Sequence, residues 1–490
     1  MNKILVANRG EIALRIMRTI RKMGIQSVAV FSEIDRNAPH VLFADEAVCL
    51  GAPASSQSYL DGDKIIAFAK ELGVDAIHPG YGFLSENAAF AQKVEDAGIN
   101  FIGPGPEAMR IMGSKLAAKD CVKKYNIPMV PGIDKAIEDV QLAIEIADKI
   151  GYPVLIKASA GGGGKGMRVV ENAGEMKEQM ERAISEAKSS FGDGAVFIEK
   201  YVSSPRHIEV QILADKFGNS IHCFERECSI QRRHQKVVEE TPSAIITPEL
   251  RKKIGDAAIM VAKSCNYTST GTVEFLMDEQ LNFYFLEMNT RLQVEHTVTE
   301  MVTGLDLVEE QIKIARGEKL SFTQDDLKLN GHAIELRVSA EDPLNNFLPS
   351  IGTLTKYVKP SGEGIRVDDG YEEGMEIPIY YDPMIAKLVV HAKTRAEAIE
   401  KMLQAIKEYT IEGVATTLPF GTFVLEHEAF FSGQFDTHFV KKYYTPEKIK
   451  EKQKANAEVA AIVALKYWSD KQKMINPVDH KSTSWKRRLA

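Results

Sequence analysis

Thr272-Val-Glu-Phe-Leu276 and Glu287-Met-Asn-Thr-Arg-Leu-Gln-Val-Glu295 flank a polar turn at 278–282, and how they pair decides the fold of mid-chain. In the second segment Glu287, Asn289, Arg291, Gln293 and Glu295 stand at every second position, so an extended backbone would point all five one way. A hairpin centred between Gln280 and Leu281 sets Glu274 opposite Glu287. Facing side chains of such a pair have Cβ atoms about 4.5–5.5 Å apart, and like charges there repel. A hard cation such as Mg²⁺ held by Glu274, Glu287 and the Asn289 carbonyl would relieve that repulsion. A solvated sheet face has the same pattern, and a slip of one residue turns Glu287 to the other side. The rest of the chain has to corroborate the pairing.

The chain has 490 residues, which predicts two to four domains. With 61 basic and 68 acidic side chains the net charge is −7, so nothing general attracts nucleic acid or acidic membranes. An anionic substrate then needs a local cationic pocket. The five cysteines are scattered, and only Cys223 and Cys228 are close, without a second pair for zinc. Reduced thiols in a cytoplasmic protein are the reading. The N-terminus turns polar at Asn8-Arg9-Gly10-Glu11 after a short apolar run, too short for a signal peptide, and no later run approaches membrane-spanning length.

Along the first third, strands at 4–7, 27–31 and 76–78 alternate with a helix at 11–23, the rhythm of a parallel α/β sheet whose loops meet a ligand. From about 126 to 202 a smaller unit is expected: a helix near 137–149, a strand at 154–158, a glycine run, a helix near 173–189 and a strand at 195–199. The glycine run, Ser159-Ala-Gly-Gly-Gly-Gly-Lys165-Gly-Met167, follows a strand carrying Lys157. Glycines let backbone N–H groups approach phosphate closely. It is not a Walker A loop, because Lys165 precedes Gly, and a flexible linker has the same composition. Residues 203–444 are strand-rich. His207, Glu209 and Gln211 share one face of a strand whose other face is Ile208, Val210 and Ile212. Glu335 and Arg337 alternate likewise with Ile334, Leu336 and Val338. The segment Gln231-Arg-Arg-His234-Gln-Lys236 concentrates cations, suited to a multiply charged anion or to a solvated loop.

Taken in order, Gly161-Gly-Gly-Gly-Lys-Gly-Met167, Ile198-Glu-Lys-Tyr201, Pro205-Arg-His-Ile-Glu209, Arg232-Arg-His-Gln-Lys-Val-Val-Glu239 and Glu287-Met-Asn-Thr-Arg-Leu-Gln-Val-Glu-His296 resemble the biotin carboxylase family of ATP-grasp enzymes, over residues 4 to about 444. The resemblance implies an α/β and α+β fold in four parts: an N-terminal parallel α/β domain (1–114), a connecting helix with a mobile glycine-loop lid (115–202), an ATP-grasp core with a mixed C-terminal domain (203–445), and a helical basic tail (446–490). It implies ATP- and bicarbonate-dependent carboxylation of biotin on a separate carrier protein, the first half-reaction of an acyl-CoA carboxylase. By the same resemblance ATP lies against Lys115, Lys157, Gly163, Gly164, Glu199, Lys200, Tyr201, Val202, His207, Gln231 and His234, with Glu274 and Glu287. The metal, Mg²⁺ or Mn²⁺, takes Glu274, Glu287 and Asn289. Bicarbonate takes Lys236, Arg291, Gln293, Val294 and Arg337, with Glu295 as base, and Arg337 steadies the biotin enolate.

The sequence departs from the family at Lys165, where Arg is common, and at Thr416-Thr417, where Thr-Asn is common and which is expected outside the site. Nothing matches the Ala-Met-Lys-Met biotinylation motif, Met176-Lys-Glu178 being the nearest fragment. Biotin is therefore expected on a partner. The partners implied are a biotin carboxyl carrier protein, a carboxyltransferase, and a second copy of this chain. The tail, with Trp468 and Trp485 and the apolar run 460–465, is expected to dock one of them. Two other functions fit parts of the pattern: a carboxyphosphate enzyme acting on a purine-precursor amine, and a non-catalytic nucleotide-binding scaffold.

Overall fold

The computed structural model describes every residue except 134, 135, 138, 159–165 and 475–490. Gly163, Gly164, Lys165 and Trp485, singled out above, lie outside the described residues. The chain opens with β1 (Lys3–Val6), α1 (Gly10–Lys22) and β2 (Gln26–Ser32), then β3 (Glu46–Gly51), β4 (Ala76–His78) and β5 (Asn100–Phe101). These strands form a parallel sheet in the order β3-β2-β1-β4-β5. Leu5, Val28, Val30 and Ile77 fill one core cluster beneath the sheet; Ile4, Val6 and Ala29 join Ile12, Ile16 and Ile20 of α1 in another. Burial on both faces explains their continuous apolar runs. Between β1 and α1 the chain turns at Gly10, whose φ of +66° suits glycine.

Next come α2 (Lys115–Lys123), α3 (Val140–Ile150), β6 (Val154–Ala158), β7 (Met167–Val170), α4 (Met176–Phe191) and β8 (Val196–Lys200), with an antiparallel sheet in the order β7-β6-β8. Ala143, Ala147, Met176, Met180 and Ala183 pack the helices onto Val154, Ile156, Val196 and Ile198.

The site rests on a large antiparallel sheet. Its strands are β9 (Arg206–Ala214), β10 (Ser220–Arg232), β11 (Gln235–Thr241), β12 (Ser269–Met277), β13 (Phe283–Asn289), β14 (His332–Ser339), β15 (Ile365–Asp369) and β16 (Met384–Ala392), in the order β13-β12-β9-β10-β11-β14-β16-β15. Ile208, Val210, Ile212, Val273 and Phe275 turn one face into a core built with the helix over Pro248–Ser264. The alternation expected of the strand at 207–213 holds, but the strand is not half-exposed. Every residue of β9 is buried, because the polar face carries a charge network of its own. Helix α5 (His296–Thr303) starts directly after Glu295, and α6 (Pro446–Met474) ends the described chain. No helix among the described residues is long and apolar enough to cross a membrane.

Candidate active site

The hairpin pairs as the polar stripe requires. Glu274 stands opposite Glu287 and Thr272 opposite Asn289, with a register shift beyond Glu274 that leaves Leu286 as the extra residue of a bulge. Asp278 shapes the turn by accepting from the Gln280 and Asn282 N–H groups at 3.0 and 2.8 Å. The extended stripe, however, ends at Asn289. The Thr290 N–H donates to Glu86 Oε1 at 3.1 Å and the chain bends toward α5, so Arg291, Gln293 and Glu295 lie on a loop and not on the strand. Gln293 and Glu295 nevertheless face the same place as Glu274.

Register also aligns acids across the sheet. Glu209 pairs with Glu274, and Glu274 with Glu287, while Arg226 on β10 pairs with Glu209. Three carboxylates in a row repel unless cations lie among them. Lys236 supplies one: its ammonium contacts Glu209, Glu274 at 3.0 Å and Glu295 at 2.6 Å. The second is Arg226, fully buried, which donates to Glu209 (2.5 Å), Gln211 (2.8 Å) and Gln293 (2.9 Å). A third, Arg337, donates from Nε to Glu239 at 2.6 Å and from its terminal nitrogen to Glu295 at 2.9 Å. His207 Nε2 lies 3.1 Å from Glu274.

These contacts set the proton affinities. Burial alone would raise the Glu295 carboxyl, but Lys236, Arg337 and Arg226 together hold it well below the usual carboxylate range. Glu274 is likewise pushed well down, burial being outweighed by Lys236 and His207. Burial and the charge of Glu274 raise Glu287, with Lys115 pulling against them. Burial would lower His207, yet Glu274 outweighs it and raises the ring.

The remaining expected residues are placed as follows. Gln293 Nε2 and Asn289 Nδ2 both donate to Glu274 Oε1, at 3.0 and 2.8 Å. Arg291 grips Glu86 Oε2 at 2.8 Å and reaches Asn289 Oδ1 at 3.2 Å. The Val294 carbonyl accepts from Lys387 at 3.0 Å. Glu199 is buried between Lys119 and Lys157, the latter at 2.5 Å, and these lysines outweigh burial to lower its carboxyl. Lys157 thus meets an acid. Lys200 donates its ammonium to the Gly151 and Tyr152 carbonyls, and the Lys200 and Tyr201 N–H groups bond Pro131 and Pro153. Gln231 bonds the Cys228 carbonyl at 2.9 Å.

The cation cluster is not a single patch. Arg233 and His234 form the two-residue turn of the β10–β11 hairpin, both at positive φ (50° and 68°), the geometry that matches strand twist and that non-glycine residues adopt at a cost. His234 is left exposed at the tip, Arg232 lies over the Phe347 ring at 4.3 Å, and Lys236 turns inward to the carboxylates. Nor is the Thr416-Thr417 departure remote. Thr417 Oγ1 donates to the Arg337 carbonyl at 2.8 Å and accepts from the Ser339 N–H at 3.0 Å, bracing the strand that carries Arg337. Reading the sequence alone missed Glu86, Arg226, Glu239, Lys119 and Lys387. Only the contiguous Glu225-Arg-Glu signalled any of them, because buried alternating charges on a strand need partners.

Residues 1–109 match the model of the biotin carboxylase N-terminal domain, 114–323 the ATP-binding domain of the carbamoyl-phosphate synthase L chain, and 335–442 the biotin carboxylase C-terminal domain. The chain is 51% identical over 444 residues to biotin carboxylase 1 of Bacillus subtilis, covering 90% of this chain and 99% of the relative. The chain belongs to the biotin carboxylase family. It is also 52% identical over 463 residues to the propionyl-CoA carboxylase alpha chain of Ruegeria pomeroyi, covering 90% of this chain and 68% of the relative. The biotin carboxylase domain dimer of the Hydrogenobacter thermophilus 2-oxoglutarate carboxylase, solved with MgADP, ADP and bicarbonate, superposes with a TM-score of 0.85 at 48% identity, covering 90% of this chain and 97% of that one. The ATP-grasp fold of biotin carboxylases, with its parallel N-terminal sheet and mixed C-terminal part, is thus the fold of this chain, and ATP- and bicarbonate-dependent biotin carboxylation is its reaction.

Proposed function

We propose that Glu295 is the base of this reaction and that the residues caging it form the bicarbonate site. What carries this reading is that Lys236 and Arg337 converge on one buried carboxylate, from opposite oxygens. Bicarbonate enters beside Lys236, Arg291, Gln293, Arg337 and the Val294 backbone. Its charge competes for Lys236 and Arg337, which frees Glu295 toward the ordinary carboxylate range and makes it a better base. Glu295 takes the bicarbonate proton, and the carbonate oxygen attacks the γ-phosphorus of ATP, releasing ADP and forming carboxyphosphate. Carboxyphosphate breaks to CO₂ and phosphate, the phosphate takes the N1 proton of biotin, and the biotin nitrogen attacks CO₂. Arg337 then steadies the negative charge on the ureido oxygen.

ATP would lie between the Lys157–Glu199 pair and Lys115 on one side and His207, Gln231 and His234 on the other. Glu274, Glu287 and Asn289 fit a hard divalent cation: they present oxygen donors, and the charge of Glu274 already raises Glu287. Asn289 would turn its amide oxygen inward, while Arg291 keeps Glu86 as partner. A cation held by these residues would supply positive charge beside the transferring phosphoryl group. Glu287→Gln should raise the Mg²⁺ concentration for half-maximal activity at least about tenfold, the cost of disturbing even an outer partner of a metal ligand. Glu274→Gln should do the same and also lower kcat, since Glu274 anchors Lys236, His207, Asn289 and Gln293. A changed Mg²⁺ requirement in only one of the two variants would refute the shared site.

The biotin belongs on a separate carrier protein, and a separate carboxyltransferase selects the final acceptor, an acyl-CoA or pyruvate. We place this chain as a homodimer, as the Hydrogenobacter domain is described, in the cytoplasm. Helix α6 supports a docking role, because Val459, Ile462, Val463, Leu465, Tyr467 and Trp468 are all exposed on it. Deleting 446–490 should abolish co-purification of the carboxyltransferase while sparing carboxylation of free biotin. The reading as a whole is tested by ATP hydrolysis that requires bicarbonate and rises with free biotin. Stimulation by a purine-precursor amine in place of biotin would instead favour the related amine-carboxylating chemistry.

A further inference from the structure

Lys387 has a side chain with 0% exposure, in the middle of β16. Burying an ammonium is costly, and an apolar side chain of the same volume would pack there without that cost. Its partners show what the charge is kept for. Across the sheet Lys387 stands in register between Arg337 on β14 and Asp368 on β15. Its ammonium donates to the Val294 carbonyl at 3.0 Å and lies 3.4 Å from Glu11 Oε2 and 4.0 Å from Asp368 Oδ2. Asp368 is otherwise held by Arg366, at 2.6 and 3.0 Å, so Lys387 is not needed to neutralise it.

The Val294 carbonyl belongs to the peptide that joins Val294 to Glu295. The loop from 290 to 295 has left the ladder of β13, and its position depends on side chains reaching in from elsewhere. Glu86 receives Thr290, Arg226 holds Gln293, and Lys387 holds the main chain next to Glu295. Arg337, the cross-strand neighbour of Lys387, holds the carboxylate of that same residue. Two adjacent cations on paired strands thus grip the two ends of one glutamate.

We infer that Lys387 is a positioning residue: by fixing the 294–295 peptide it sets where the Glu295 carboxylate stands against bicarbonate. The inference rests on Glu295 being the base. Glu11, from the start of α1, completes the cage around Lys387 and so ties the N-terminal α/β part of the chain to it.

The test is Lys387→Met, which keeps length and removes the donor, together with the Glu11→Gln/Lys387→Met pair, which leaves no orphaned carboxylate at Glu11 should the single variant fold poorly. The kcat of bicarbonate-dependent ATP hydrolysis should fall about 10- to 100-fold, the scale on which small misplacements of a reacting group act, with the KM for ATP unchanged. Glu11→Gln alone should stay within about twofold of wild type. In a Glu295→Gln background, Lys387→Met should cost less than about twofold more, because residues that act through one group are not additive. Losses that multiply, or a paired variant within about threefold of wild type, would overturn the positioning role. A wild-type protein without bicarbonate-dependent turnover, or a fully active Glu295→Gln variant, would instead remove the base assignment and this inference with it.

Discussion

Glu295→Gln should lower biotin-dependent turnover by about 10²–10⁴, the usual contribution of a positioned base, and leave ATP affinity nearly unchanged. The substitution keeps size and hydrogen-bonding shape but cannot take a proton. It also removes the negative charge that Lys236 and Arg337 share, so both cations turn more fully to their other partners, Glu209 and Glu274 for Lys236 and Glu239 for Arg337. The Lys157–Glu199 pair, where the nucleotide is proposed to lie, is a separate ion pair and should not feel the change. Equilibrium binding of ATP and steady-state carboxylation of free biotin, measured on the same preparation, check both halves. More than a tenth of wild-type carboxylation at neutral pH would dismiss Glu295 as the base.

Arg337→Ala should separate the half-reactions. Biotin carboxylation falls about 10²–10³, the common cost of losing one donor aimed at a developing anion. Slow bicarbonate-dependent ATP hydrolysis should survive better, because Lys236 remains on Glu295 and the charge of Arg226 still acts on it. The site tolerates the deletion electrostatically. Burial pushes the Glu239 carboxyl up to about 8 even with Arg337 opposing it, and losing the arginine raises it further, so Glu239 stays neutral near pH 7 instead of standing as an unpaired charge. Parallel assays of phosphate release with and without biotin distinguish the two roles. An equal loss in both would assign Arg337 to bicarbonate alone.

How much of this was legible in the sequence follows from which physical signals are local. The Glu274–Glu287 pairing holds, but not through the expected turn: the turn-side pairs, Met277 with Phe283 and Phe275 with Phe285, centre on Gln280, and the bulge at Leu286 shifts the register by the one residue that brings Glu287 opposite Glu274. The strands at 154–158 and 76–78 were readable from apolar runs with clear ends. Past Asn289 the same period-two reasoning failed, since nothing in the local pattern reveals that Glu86, some 200 residues earlier, receives the Thr290 N–H and turns the chain. Gln293 and Glu295 still converge on Glu274 because the loop leads into α5 beneath the same sheet face. The cationic run 232–236 misled in a similar way. Composition reports its charge, but a turn at 233–234 sends its members in three directions. Lys387 and Glu239 were illegible for a further reason. Their meaning lies in strand order, β12-β9-β10-β11-β14-β16, and periodicity within a strand carries no record of its neighbours.

The most direct test follows the oxygen atoms. If bicarbonate, deprotonated by Glu295, attacks the γ-phosphorus, one bicarbonate oxygen must end in the released phosphate. Turnover of free biotin with ¹⁸O-labelled bicarbonate in unlabelled water, quenched early and read by mass spectrometry of the phosphate, should show one ¹⁸O per phosphate formed, with the label arriving in step with carboxybiotin. Phosphate carrying oxygen only from ATP and water would contradict the account.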